Sequence, residues 1–197
     1  MNTYLAGLVA MAGLIVGIGA QNVFLIRQGA RREGIGGVIV ICTVADALLV
    51  CAGTLGIGVL VERAPLLLQV LKWGGAAYLL WFAYQSFRSA RHPRGIDADG
   101  AVETAHVYRT ALALTWLNPW VYLDTLVLIG SLANQHGPTG RWAFAAGAIT
   151  SSVVWFVVVG LGARALSAPL SSAKVWRWLD GAIGVIMVGL ATKFALS

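Results

Sequence analysis

A chain of 197 residues that is 58% hydrophobic, only 11% charged and of mean hydropathy +0.79 lacks the charge to cover a water-soluble surface, so the lipid bilayer is its expected solvent. The net charge of +6 does not point to nucleic acid: the basic residues gather in short loops between apolar runs rather than along one face, which is the pattern of positive-inside topology. Cys42 and Cys51 share one apolar run without ligand-spaced partners, so they read as buried thiols and neither a zinc site nor a disulfide framework is indicated.

The chain turns apolar within a few residues of Met1 and lacks a basic leader, so no cleavable signal peptide is expected and the first run, about 4–26, reads as a transmembrane helix. That run is rich in glycine and closes with Gln21 and Asn22 followed by Arg27, Arg31 and Arg32. A second run, 35–61, is interrupted electrically only by Asp46. Glu62 to Pro65 makes a turn, with the proline placed to start a third helix over 66–87. The polar stretch 89–108 is the natural boundary between two halves. A fourth run, 109–133, contains Leu117-Asn118-Pro119-Trp120-Val121-Tyr122-Leu123-Asp124-Thr125. The turn 134–138 leads to a fifth run over 142–161, and after a serine-containing patch a sixth covers 177–196. Asp180 is expected at the start of that last helix, where the helix dipole would stabilise it.

The expected fold is therefore an all-α integral membrane protein with six transmembrane helices in two inverted three-helix repeats, 1–88 and 109–197, joined by a cytoplasmic linker over 89–108. Ten basic residues fall in the loops after runs one, three and five, against three in the alternate loops. That asymmetry places the odd loops in the cytoplasm and, if all six runs cross, both termini outside; a re-entrant first or last run would put its own terminus on the other side. An echo between Lys72-Trp73-Gly74-Gly75-Ala76-Ala77-Tyr78 and Trp178-Leu179-Asp180-Gly181-Ala182-Ile183-Gly184 favours the repeat. An odd number of spans in each half inverts one against the other, with binding expected at their interface. Glycine-rich faces on runs one and three could serve a homodimer or packing within one subunit.

Asp46 and Asp124 are the leading candidates for chemistry. Each lies roughly eleven to fifteen residues from the ends of its run, near the bilayer centre at 1.5 Å rise per residue. No lysine or arginine is expected at that depth beside them, so each carboxylate must hold a proton, find a hydrogen bond or await a mobile cation. Pro119 removes a backbone donor and should free carbonyls near Leu114 and Thr115. Those carbonyls and Asn118 could meet the charged groups of an amino acid, or Asn118 could simply satisfy the kink. Gln21 and Asn22 have the same two readings in run one. Tyr122 either lines a cavity, orients a carboxylate or packs, and Trp155 with Phe156 either walls a site or packs. His92, His106 and His136 are all expected in loops. No serine or cysteine nucleophile with a base, no phosphate loop and no dinucleotide motif is present, so neither an enzyme nor a cofactor is expected.

Two longer patterns are familiar. Gly19-Ala20-Gln21-Asn22-Val23-Phe24-Leu25-Ile26-Arg27-Gln28-Gly29 resembles the opening signature of the bacterial lysine and arginine exporter family, and Leu117 to Thr125 running on through Leu128-Ile129-Gly130-Ser131-Leu132 resembles its central signature. Asp46 falls at the family's acidic position, and Gly162-Ala163-Arg164 and Trp176-Arg177-Trp178-Leu179-Asp180 resemble its C-terminal pattern. The resemblance implies a multi-pass secondary transporter of the bacterial inner membrane that exports arginine or lysine against entering protons. Its partners would be the amino acid substrate, protons and lipid. Gln21, Asn22, Asp46, Asn118, Pro119, Tyr122 and Asp124 would be its working positions. Trp120 departs from relatives that carry a polar residue after the proline. The wider superfamily also exports neutral amino acids such as threonine, homoserine and leucine, and an uncoupled channel is the remaining alternative.

Overall fold

A computed structural model describes residues 2–16, 19–32, 34–57, 65–91, 104–118, 121–166 and 173–196. Among these residues all regular structure is helical: α1 (Thr3–Ile15), α2 (Ala20–Arg31), α3 (Ile35–Thr54), α4 (Pro65–Arg91), α5 (Thr104–Trp116), a π-helix (Tyr122–Ile129), α6 (Gly130–Asn134), α7 (Gly137–Ala165) and α8 (Ala173–Leu196). Among the described residues two helices, α3 and α7, are long and apolar enough to cross a membrane, or three spans if α1 and α2 together make one. The chain is thus an all-α membrane bundle.

The first run is not one helix. α1 and α2 are bent by 81° to one another. Gly19 holds extended backbone before α2 (φ −111°, ψ 166°), so the chain leaves helical geometry there before α2 begins. The fourth run is also divided: α5 ends at Trp116, and the chain resumes as the π-helix that carries Tyr122 and Asp124. The expected proline kink therefore has a helix end before it and a wide helical turn after it. Pro119 and Trp120 lie outside the described residues.

Three boundaries differ from the sequence expectation. α4 continues through Arg91 and α5 begins at Thr104, so helix ends enter the 89–108 stretch and His106 lies on a helix rather than in a loop. α7 begins at Gly137 with Pro138 in its first turn, because a proline there loses no helical hydrogen bond. α8 begins at Ala173, so Asp180 sits two turns inside the helix, buried at 2% exposure. The dipole at a helix start therefore does not account for it.

Helix pairing follows glycine. α1 lies against α7 where Gly7 meets the Phe144 backbone and Gly147 meets that of Tyr4; α3 meets the π-helix and α6 where Gly53 and Gly130 face each other. Any Cβ at these crossings would overlap a neighbouring backbone, so the small residues set how closely the helices approach. α2 and α3 also pack on α7, while α4 and α8 pack lengthwise on each other. One apolar cluster, including Phe24, Val38, Phe82, Leu114, Phe156 and Met187, joins these layers.

Candidate functional site

α3 runs through the bundle with Asp46 on its buried face, 3% exposed. The carboxylate accepts one hydrogen bond at 2.9 Å, from the Ser152 hydroxyl of α7 to Oδ2. Ser152 is itself fully buried. The Arg27 guanidinium is engaged elsewhere, with Asp180 at 3.3 Å. A carboxylate in apolar surroundings with a neutral donor is suited to a proton or a monovalent organic cation.

One turn before Asp46 lies the buried thiol of Cys42, which interacts with the side chains of Gln21 on α2 and Thr115 on α5 and senses the Asp46 carboxylate. The Gln21 amide nitrogen is buried and has no hydrogen-bond partner among the described residues. A buried donor left open carries a desolvation cost that an incoming acceptor would relieve. The cluster therefore holds a carboxylate and an amide donor whose only neighbour of note among the described residues is a thiol, groups complementary to an ammonium or guanidinium and to a carboxylate.

Asn22 works at the junction of three helices. Its Nδ2 donates to the Ile15 carbonyl at the end of α1 (2.8 Å), and its Oδ1 accepts from Trp155 Nε1 on α7 (3.1 Å). It thereby satisfies a helix-end carbonyl that the bend leaves open. Tyr122 does the equivalent service at the other divided run, where its hydroxyl donates to the Trp116 carbonyl at the end of α5 (2.8 Å). Thr115 bonds back to the Ala111 carbonyl at 2.9 Å within α5, as hydroxyls in membrane helices commonly do.

Asp124 and Asn118 are both half-buried, Asp124 in the first turn of the π-helix that packs on α3 and Asn118 just beyond α5. The geometry thus gathers Gln21 and Asp46 around Cys42, ties Asn22 to Trp155, and places Asp124 on the neighbouring π-helix. Phe156 packs with no exposed surface. Sequence reasoning missed Ser152 and the Arg27–Asp180 pair. Ser151-Ser152 midway through an apolar run was the available signal for the first. No local pattern could pair residues so far apart in the chain.

No group of three or more potential metal ligands occurs among the described residues. Residues 12–197 match the model of the LysE type translocator. The chain belongs to that family. Among relatives of this translocator is "Lysine exporter LysE" of Corynebacterium efficiens, 43% identical over alignments covering 100% of this chain and 99% of the relative. Its counterpart in Corynebacterium glutamicum is 41% identical at the same coverage. "Arginine exporter protein ArgO" of Serratia proteamaculans is 40% identical, covering 98% and 95%. No solved structure matches. A LysE type translocator is a transporter, not an enzyme.

Proposed function

We propose that this chain is a secondary exporter of basic L-amino acids, arginine or lysine, in the bacterial inner membrane, which it crosses several times, and that export is driven by proton entry. The relatives named as lysine and arginine exporters support the substrate class. The observation that carries the mechanism is Asp46, buried with a hydroxyl as its hydrogen-bond partner at the α3–α7 crossing. The carboxylate holds a proton or the substrate's positive charge, but not both, and that exclusion is the core of antiport. Gln21 offers its open amide to the substrate carboxylate. Asp124, Asn118 and Pro119 complete the path along the divided fourth run, with Asn22 and Tyr122 holding the two helix breaks open.

Six spans in two inverted repeats, 1–88 and 109–197 about the 89–108 linker, remain the reading of the architecture. The helix pairing supports it. Exchanging run one with four, two with five and three with six turns the α2–α7 contact into that of α3 with the π-helix and α6, and leaves α3–α7 and α4–α8 as pairs exchanged within themselves. Gly29 meets Gly160 at the first of these crossings and Gly53 meets Gly130 at the second, and among the described residues runs one and four are both divided. Asp46 and Ser152 then meet at a crossing on the pseudo-two-fold axis, where inverted-repeat transporters bind their cargo. With Arg27 buried in an ion pair, the basic count becomes nine against three, which still favours both termini outside if all six runs cross.

The test is release of labelled arginine and lysine from proteoliposomes with and without a pH gradient, with threonine as the neutral comparison. Saturable, gradient-driven basic amino acid flux supports the proposal. Threonine flux alone moves the protein to a neutral substrate, and no amino acid flux refutes the function.

A further inference from the structure

Arg27 and Asp180 lie outside the Asp46 cluster, and their surroundings describe a joint between two parts of the bundle. Arg27 belongs to α2, whose first turn carries Gln21 and Asn22. Its Nη2 stands 3.3 Å from Asp180 Oδ1 on α8, with side-chain exposures of 11% and 3%. The partners on α4 complete the group: Ser89 donates to Asp180 Oδ2 at 2.6 Å, Arg27 Nη1 donates to Ser86 at 3.4 Å, and the guanidinium carbon lies 5.8 Å from the Phe82 ring centroid. α4 and α8 pack extensively on each other and meet the remaining helices chiefly along α2. The charged contact is therefore set where the α4–α8 pair joins the part of the molecule that holds Asp46.

A buried ion pair adds little net stability compared with apolar packing, because both charges are removed from water. What it supplies is a discrete choice between made and broken, the behaviour of an element with two arrangements. Asp180 Oδ1 faces the guanidinium without a hydrogen bond, so the contact is chiefly Coulombic. The same helix that bears Arg27 lays Gln21 over Cys42 beside Asp46.

We propose that Arg27 and Asp180 are positioning residues that form a latch: made, it holds α2 over the Asp46 cluster against the α4–α8 pair; broken, it lets α2 move and opens the cluster. This rests on the transport reading for its turnover arm only. The test compares Arg27→Gln/Asp180→Asn with the parent chain, in a Cys51→Ser background. The double change leaves no buried charge unpaired, unlike either single change. Expected are a monodisperse protein in detergent, arginine or lysine turnover lowered about tenfold at a KM within about twofold, a rate change near 1.4 kcal/mol, and alkylation of Cys42 by N-ethylmaleimide raised severalfold. A folded double variant with parental turnover or parental Cys42 alkylation overturns the latch. Alkylation needs no substrate, so it decides the matter even if the transported molecule is not a basic amino acid. Should the double variant fail to fold, Ser89→Ala removes one Asp180 hydrogen bond without stranding a charge. It should raise Cys42 alkylation about twofold, and an unchanged rate overturns the proposal.

Discussion

Asp46 and Asp180 are both aspartates inside apolar helices, buried at 3% and 2% exposure, and each accepts a hydrogen bond from one serine. Among the described residues they differ in one partner: Asp180 has the Arg27 guanidinium at 3.3 Å, whereas the hydrogen bond to Asp46 comes from the neutral Ser152. A carboxylate whose countercharge is built into the fold is settled and can serve architecture. One that lacks a built-in countercharge must take it from outside, as a proton or as cargo. The same residue type at similar burial thus has two occupations, divided by what the neighbouring helix supplies.

The comparison is broken most severely by Asp46→Asn. The amide keeps the shape and can still bond Ser152, but it cannot exchange a proton or balance a cation. Gradient-driven export should fall by more than about a hundredfold, the size of effect expected when about 3 kcal/mol of charge stabilisation is lost, while the protein remains folded by gel filtration in detergent. Asp180→Asn should act first on the fold. It strands the Arg27 charge, costing about 3–5 kcal/mol, and should appear first as a lower midpoint of thermal aggregation in detergent. Were Asp46→Asn to unfold the protein and Asp180→Asn to leave stability untouched, the assigned roles would be exchanged.

Gly53→Ala sharpens the contrast between charge and packing. Its new methyl would meet the Leu126 carbonyl, and the α3–π-helix crossing must widen, at about 1–3 kcal/mol for overpacking. Since α3 carries Asp46 and the π-helix carries Asp124, transport should fall severalfold with a smaller change in thermal stability than Asp180→Asn gives. Equal transport in the variant and parent would show that this crossing does not align the site.

Much of this was legible in the sequence, and what was not has physical causes. The composition indicated a membrane bundle, Asn118-Pro119 indicated a kink in the fourth run, and Asp46 stood out because nothing charged lies near it in its own run. The 81° bend was harder to see, since glycines permit a bend without requiring one. Arg27 falls with Arg31 and Arg32 among the basic residues that close the first run, so in sequence it reads as a loop charge. Its burial depends on Asp180 and Ser86, far along the chain. Ser152 was passed over because hydroxyls in membrane helices usually bond their own backbone, and only the packing of α3 against α7 turns it toward Asp46.

The smallest predicted effect concerns the two helix breaks. Tyr122→Phe removes the hydrogen bond to the Trp116 carbonyl, whereas Asn22→Ala removes at least two, to Ile15 and from Trp155. A neutral hydrogen bond is worth about 1 kcal/mol net, so Tyr122→Phe should lower stability by about that amount and Asn22→Ala by at least about twice as much. If both residues only secure broken helix ends, transport losses should scale with stability losses. Asn22 also sits one residue from the open Gln21 amide beside Cys42, so its replacement should raise the KM for the basic amino acid beyond that scaling while Tyr122→Phe leaves KM unchanged. A matched KM in the two variants would place both residues in support of the breaks alone, and leave substrate contact in the first run to Gln21.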